Sequence, residues 1–174
     1  MQVSTGFIHG FAVESWDDLS SYVIEAERMG VHSVWSPEAW GFDGATPLAY
    51  LAAKTSTIKL GTGILQLGAR TPTNVAMTAM SLYSMSAGRF ILGLGTSGPQ
   101  VIEGFHGVVF DRPIQRTRET IEIIKNVLSG DRVAYQGEEY RLPVREGQGR
   151  SIRAEGSMMP DIPIYIASLG PRNL

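Results

Sequence analysis

Four times in succession, a short β-prone run in this chain is followed by a stretch with helical period. Val3–His9 precedes a helix opening at Ser15. His32–Ser36 precedes a helix opening at Thr46-Pro47. Thr57–Ile64 precedes "TNVAMTAMSLYSMSAG" (Thr73–Gly88), and "RFILGLG" (Arg89–Gly95) precedes Pro113–Gly130. A fifth strand, Ile162–Ala167, follows. Strands alternating with helices imply a mostly parallel sheet.

The helix ends carry their own signals. Ser15 is placed as an N-cap with Asp18 three residues on, and Gly30 as a left-handed stop. Leu19, Tyr22, Val23, Ala26 and Met29 fall on one face at helical spacing. Proline stands at the first helical position of two helices (Pro47, Pro113), where its missing N–H is harmless. Ile114, Ile121, Ile124 and Leu128 can form an apolar stripe on the fourth helix. "RVAYQGEEYRLP" alternates and turns at Gly137, which predicts a small hairpin insertion. Val144–Pro160, rich in Gly and Arg, reads as loop.

Two architectures satisfy this order: a doubly wound open sheet and a (β/α)8 barrel. Five parallel strands cannot close an eight-stranded barrel, whose usual length is roughly 250 residues. The chain has 174 residues. It has no cysteine, which excludes disulfides, thiolate metal sites and a cysteine nucleophile. Its net charge is −2 with scattered Lys and Arg, so nothing marks a nucleic-acid surface. The first ten residues have no basic n-region and no long apolar h-region, so a signal peptide is not expected, and no apolar run approaches about 20 residues; a cytoplasmic location with no membrane partner is the default expectation. No two histidines have metal-ligand spacing, and no metal site is expected.

Gly93, Gly95 and Gly98 match G-x-G-x-x-G, the dinucleotide fingerprint. That motif normally follows the first strand, with an acid about 20 residues on at the end of the second. Here it follows the fourth strand, and Glu119, the acid nearest that distance, lies inside a helical stretch. The surroundings therefore contradict a Rossmann reading. The other strand ends share the small-residue design: "LGTGI" closes the third and "ASLGP" the fifth, while "SPEAWG" closes the second with an acid and a tryptophan. Such ends let a flat ring approach the backbone at the C-terminal face of a barrel.

These blocks resemble the luciferase-like flavin- and deazaflavin-dependent oxidoreductases. The carrying residues are "SVWSPEAWG" (Ser33–Gly41), "IKLGTGILQLGARTP" (Ile58–Pro72), "AGRFILGLGTSGPQ" (Ala87–Gln100) and "IPIYIASLGP" (Ile162–Pro171). "PEAWG" with "GTGILQ" and "GLGTSGPQ" looks most like the branch that uses coenzyme F420. The resemblance implies a (β/α)8 barrel of TIM type, present as an N-terminal partial barrel: about five parallel strands, four helices and a hairpin insertion, residues 1–174 forming part of one domain. It implies a cis non-proline peptide at Gly63–Ile64 backing the cofactor ring, edged by Gly95, Thr96, Ala167, Ser168 and Leu169. It places Glu38 as the acid near the ring. Relatives that oxidise sugar phosphates follow that acid with a basic histidine, where this chain has Ala39.

His9 and Trp40 are candidates for the substrate pocket, Trp35 for core packing, and Met77, Met80 and Met85 for core. Arg70 suits a salt bridge. The expected activity is hydride transfer between F420 and a small organic substrate, in a homodimeric parent protein. FMN with a monooxygenase reaction is the alternative cofactor and chemistry. A non-catalytic fragment or interaction module is the reading of a different class, and the isolated 174-residue chain is expected to be inactive.

Overall fold

The computed structural model describes residues 2–7, 15–156 and 158–168. They pack as two compact units. The first comprises Met1–Leu65, Ser81–Leu94 and Ile162–Ala167; the second comprises Gln66–Met80, Gly95–Asp161 and Ser168–Leu174.

The elements alternate as the sequence predicts: β1 (Ser4–Gly6), α1 (Trp16–Arg28), β2 (Ser33–Ser36), α2 (Thr46–Ala52), β3 (Lys59–Thr62), β4 (Leu65–Gln66), α3 (Pro72–Met85), β5 (Phe90–Gly95), α4 (Pro99–Ile102), α5 (Pro113–Leu128), β6 (Tyr135–Gln136), β7 (Arg141–Leu142) and β8 (Ile164–Ile166). The single-turn α4 is an addition to the four expected helices.

In the first unit, β1, β2, β3, β5 and β8 lie side by side, all parallel. Val34 sits opposite Leu60, Leu60 opposite Phe90, and Leu92 opposite Ile164. All six β5 residues are buried, as a strand covered on both faces should be. Helix α1 starts where its cap predicts: Ser15 Oγ accepts the Asp18 amide at 3.1 Å. It stops at Gly30, whose φ of 78° lets the Gly30 amide reach the Glu27 carbonyl and the Val31 amide reach Ala26.

Three apolar assignments need correction. In α1 the buried positions are Leu19, Ser20, Val23 and Ala26, whereas Tyr22 and Met29 are exposed. They lie on the shoulders of a stripe that covers only about 100° of the helix. In α3, Val75, Ala76, Ala79 and Leu82 form the buried face, which turns Met77 and Met85 outward. In α5 the buried face is Glu119, Thr120, Ile123, Ile124, Val127 and Leu128, leaving Ile114 exposed in the first turn.

At the N-terminal ends of the strands, two charged side chains hold backbone. Glu27 Oε1 accepts the amides of Ser56 and Ile58 at 2.9 and 2.8 Å, with the Thr57 amide and hydroxyl also bound. Burial disfavours the charge, but these donors outweigh it and hold the Glu27 pKa at about 2. The Arg89 guanidinium donates to the carbonyls of Ala52, Thr55 and Ile58, which closes the loop after α2.

In the second unit, the hairpin β6–β7 is antiparallel. It is held by Glu119 of α5, which is buried. Its two carboxylate oxygens accept the amides of Glu138, Glu139 and Tyr140 at 2.8–3.0 Å, and Gln115 Nε2 at 2.8 Å. Burial opposes this charge, yet the donors keep its pKa below the usual carboxylate range.

Candidate active site

In parallel strands the C-terminal ends face one way, and barrel enzymes build their sites there. In the first unit these ends are Ser36, Thr62, Leu94 and Ile166, with the residues that follow them. Glu38 lies two residues past β2. Its Oε2 accepts the Gly44 amide at 3.1 Å. Gly44 is buried, and a Cβ there would stand 3.2 Å from Glu38 Cβ and from Leu65 Cδ2, so the 37–45 loop closes against the Glu38 stem. Asp43 then starts α2 by accepting the Ala45 and Thr46 amides, both at 2.8 Å. Trp40, on the same loop, is 70% exposed.

The end of β3 departs from regular strand. The Gly63–Ile64 peptide is cis, as the family resemblance implies. The Gly63 amide donates to the Ser36 carbonyl at 2.7 Å, and Gly63 itself is exposed. Beneath it lies the half-buried Trp35. A Cβ at Gly61 would fall 2.4 Å from the Trp35 ring, so this glycine makes room for the indole. The indole N–H donates to Ser33 Oγ at 3.0 Å, and the ring packs against Tyr165 with centroids 5.7 Å apart. Trp35 is therefore a fixed platform under the ends of β2 and β3. Thr62 is fully buried, and its hydroxyl both donates to the Gly93 carbonyl (2.9 Å) and accepts the Gly93 amide (2.8 Å).

Of the residues singled out from the sequence, Glu38, Gly63, Ile64 and Ala167 share this end of the first unit. Ala167 is tied in by its amide, which donates to the Leu94 carbonyl at 2.9 Å. Gly95, Thr96 and Ser168 belong to the second unit. The Gly95 carbonyl accepts the Leu67 amide at 3.0 Å. Thr96 shares a niche of about 10 Å³ with Asp111, Arg116 and Phe110, room for about one water. The Ser168 hydroxyl is buried and has no hydrogen-bond partner among the described residues. His9 and Leu169 lie outside the described residues.

The glycine fingerprint dissolves at atomic scale. The third glycine of a dinucleotide turn is needed for close helix–strand packing. At Gly98 a Cβ would meet nothing within 4 Å. Gly93 answers instead to Thr62, whose carbonyl oxygen would lie 1.8 Å from a Cβ. Sequence reading missed Thr62 and the platform role of Trp35. The only local signal was the run of glycines around them.

Among the described residues no group of three or more His, Asp or Glu could hold a metal ion. No described helix is long and apolar enough to cross a membrane. What the first unit offers is exposed backbone at Gly63, a rigid aromatic platform below and, on the loop after the neighbouring strand β2, the Glu38 carboxylate. That fits the edge of a flat, polar heterocycle, which needs backbone access more than side-chain charge.

The family model for luciferase-like monooxygenases matches residues 2–174. A Mycobacterium tuberculosis protein that carries the provisional name of a coenzyme F420-dependent oxidoreductase is 44% identical over 158 residues, covering 87% of this chain and 46% of that protein. The 5,10-methylenetetrahydromethanopterin reductase of Archaeoglobus fulgidus is 31% identical over 170 residues, covering 94% and 48%. Among solved structures, the coenzyme F420-dependent tetrahydromethanopterin reductase of Methanopyrus kandleri superposes with a TM-score of 0.80 at 24% identity, covering 98% of this chain and 51% of that one. The chain thus spans about half the length of the relatives it matches, and the likeness assigns its strands and helices to a barrel-type α/β fold.

Proposed function

Because the chain belongs to the luciferase-like monooxygenase family, we propose that it forms part of an F420-dependent oxidoreductase acting on a small organic substrate. The reading is supported most by the 44% identity, over 87% of the chain, to a protein named for that cofactor and reaction class. The exposed Gly63 backbone over the Trp35 platform supports this reading, since it presents no side chain of its own to a flat ring.

Bound there, the deazaflavin would supply or accept a hydride. The chain's residues would do the rest. Gly63 and Ile64 would back the ring, and Ala167 would edge it. Glu38, fixed by the Gly44 amide, would hold or pass the proton that accompanies hydride transfer. Trp40 would wall the substrate side. A homodimer is the proposed assembly.

The test uses the protein that carries this chain at its natural length. Reduced F420 is mixed with a panel of small imines, activated alkenes and carbonyl compounds, and reoxidation is followed by the return of its visible absorbance. Acceptor-dependent reoxidation supports the proposal. Oxygen-dependent turnover with reduced FMN, and none with F420, would give the reaction to the FMN monooxygenase alternative.

A further inference from the structure

We infer that Thr62 is a positioning residue: its hydroxyl fixes the backbone of Gly63 against which the cofactor ring would rest. The inference rests on the deazaflavin reading above.

The regular pairing of β3 with β5 is recorded at Leu60–Phe90 and Gly61–Ile91. Beyond it, β3 must turn out of the ladder to present Gly63. That leaves the next β5 residue facing β3 with both backbone groups to satisfy. The pairing on the other side of β5 shows why the residue is Gly93. Leu92 donates its amide to the Pro163 carbonyl, and Leu94 accepts the Ala167 amide, both at 2.9 Å. These alternate residues spend their polar groups on the β8 side, so those of Gly93 point toward β3.

A single side chain replaces the missing ladder. Thr62 Oγ1 donates to the Gly93 carbonyl and accepts the Gly93 amide, at 2.9 and 2.8 Å. Neither residue is exposed to solvent, so water cannot stand in for the hydroxyl. The fit is also steric: the Thr62 carbonyl occupies the place of a Cβ on Gly93. Gly63 is then held from two neighbouring strands, through its own amide on Ser36 and through the residue before it on Gly93. The hydroxyl is the working group, and threonine carries it in a restrained form. Its hydroxyl can donate and accept at once, and its β-branch limits rotation of that hydroxyl.

The test compares Thr62→Val, Thr62→Ser and the native residue in the protein that carries this chain at its natural length. Oxidised F420 is titrated by fluorescence, and the absorption band of the bound cofactor is recorded. Valine keeps the shape and loses the hydroxyl; serine keeps the hydroxyl. The expected result is a dissociation constant about tenfold higher for Thr62→Val, with a bound-cofactor band displaced toward that of free F420. Thr62→Ser should stay within about twofold of native with an unshifted band. Native-like affinity and band in a folded Thr62→Val overturn the inference and leave the deazaflavin reading intact. If Thr62→Val does not fold, Thr62→Ser decides: a tenfold loss there shows that the hydroxyl is not the working group. A native protein that fails to bind F420 overturns the deazaflavin reading and the inference with it.

Discussion

The glycines at the strand ends differ in what occupies their side-chain space, and this makes substitutions separable. Gly93→Ala would drive a methyl into the Thr62 carbonyl, a backbone atom that cannot rotate away. It should cost more than about 3 kcal/mol, seen as a lowered denaturation midpoint or failure to fold. Gly98→Ala, three positions beyond the strand, meets open space and should change stability by no more than about 0.5 kcal/mol. If the two behaved alike, the packing account of this motif would be wrong. Gly63 lies between these cases. A Cβ would stand 3.4 Å from Trp35 Cβ, an ordinary contact, so the backbone tolerates it. The branches of a valine must spread over the exposed strand end. Gly63→Val should therefore leave the thermal midpoint nearly unchanged while weakening F420 binding about tenfold. Unchanged affinity would remove Gly63 from the ring site. The sequence displayed these glycines but not their reasons, because the atoms that decide them come from a strand some 30 residues away in the chain, as with Thr62 and Gly93.

Among the elements, two carboxylates act as anchors for backbone rather than as surface charges. Glu27 ties α1 to the entry of β3. Its folded pKa of about 2 lies below the ordinary 4.5, so its contribution is complete above the unfolded value and is lost as pH falls from about 4.5 to about 2. Glu27→Gln should lower stability at neutral pH by about 1–2 kcal/mol and flatten the acid limb of the stability profile. An unaltered acid limb would show that Glu27 contributes nothing through its charge. Glu119 does the same for the β6–β7 hairpin. In Glu119→Gln only one oxygen remains to accept three amides, so the Glu138, Glu139 and Tyr140 N–H groups should exchange with deuterium at least about tenfold faster. Unchanged exchange would mean that the hairpin holds itself. The hairpin was legible from its alternation and its Gly137 turn. Its clamp was not, because a glutamate on an amphipathic helix reads as solvent-facing until something shows what covers it. The misplaced outward residues Tyr22, Met77 and Ile114 have the related cause that spacing marks a face but not its width.

For the whole molecule, strand–helix alternation with prolines opening and glycines closing the helices was enough to read a parallel α/β fold. The blocks at four strand ends were enough to place the chain in its family. Local capping and periodicity are written in adjacent residues. The Trp35 platform, the Thr62 hydroxyl pair and the Glu38–Gly44 closure arise only when distant segments meet, so the site was legible as a location and not as a mechanism. The central claim is that this location takes a deazaflavin in preference to a flavin. The most direct measurement titrates the protein that carries this chain, at its natural length, with F420 and with FMN in parallel, following cofactor fluorescence. Saturable F420 binding at least about tenfold tighter than FMN binding is expected. Tighter binding of FMN, or binding of neither, would contradict it.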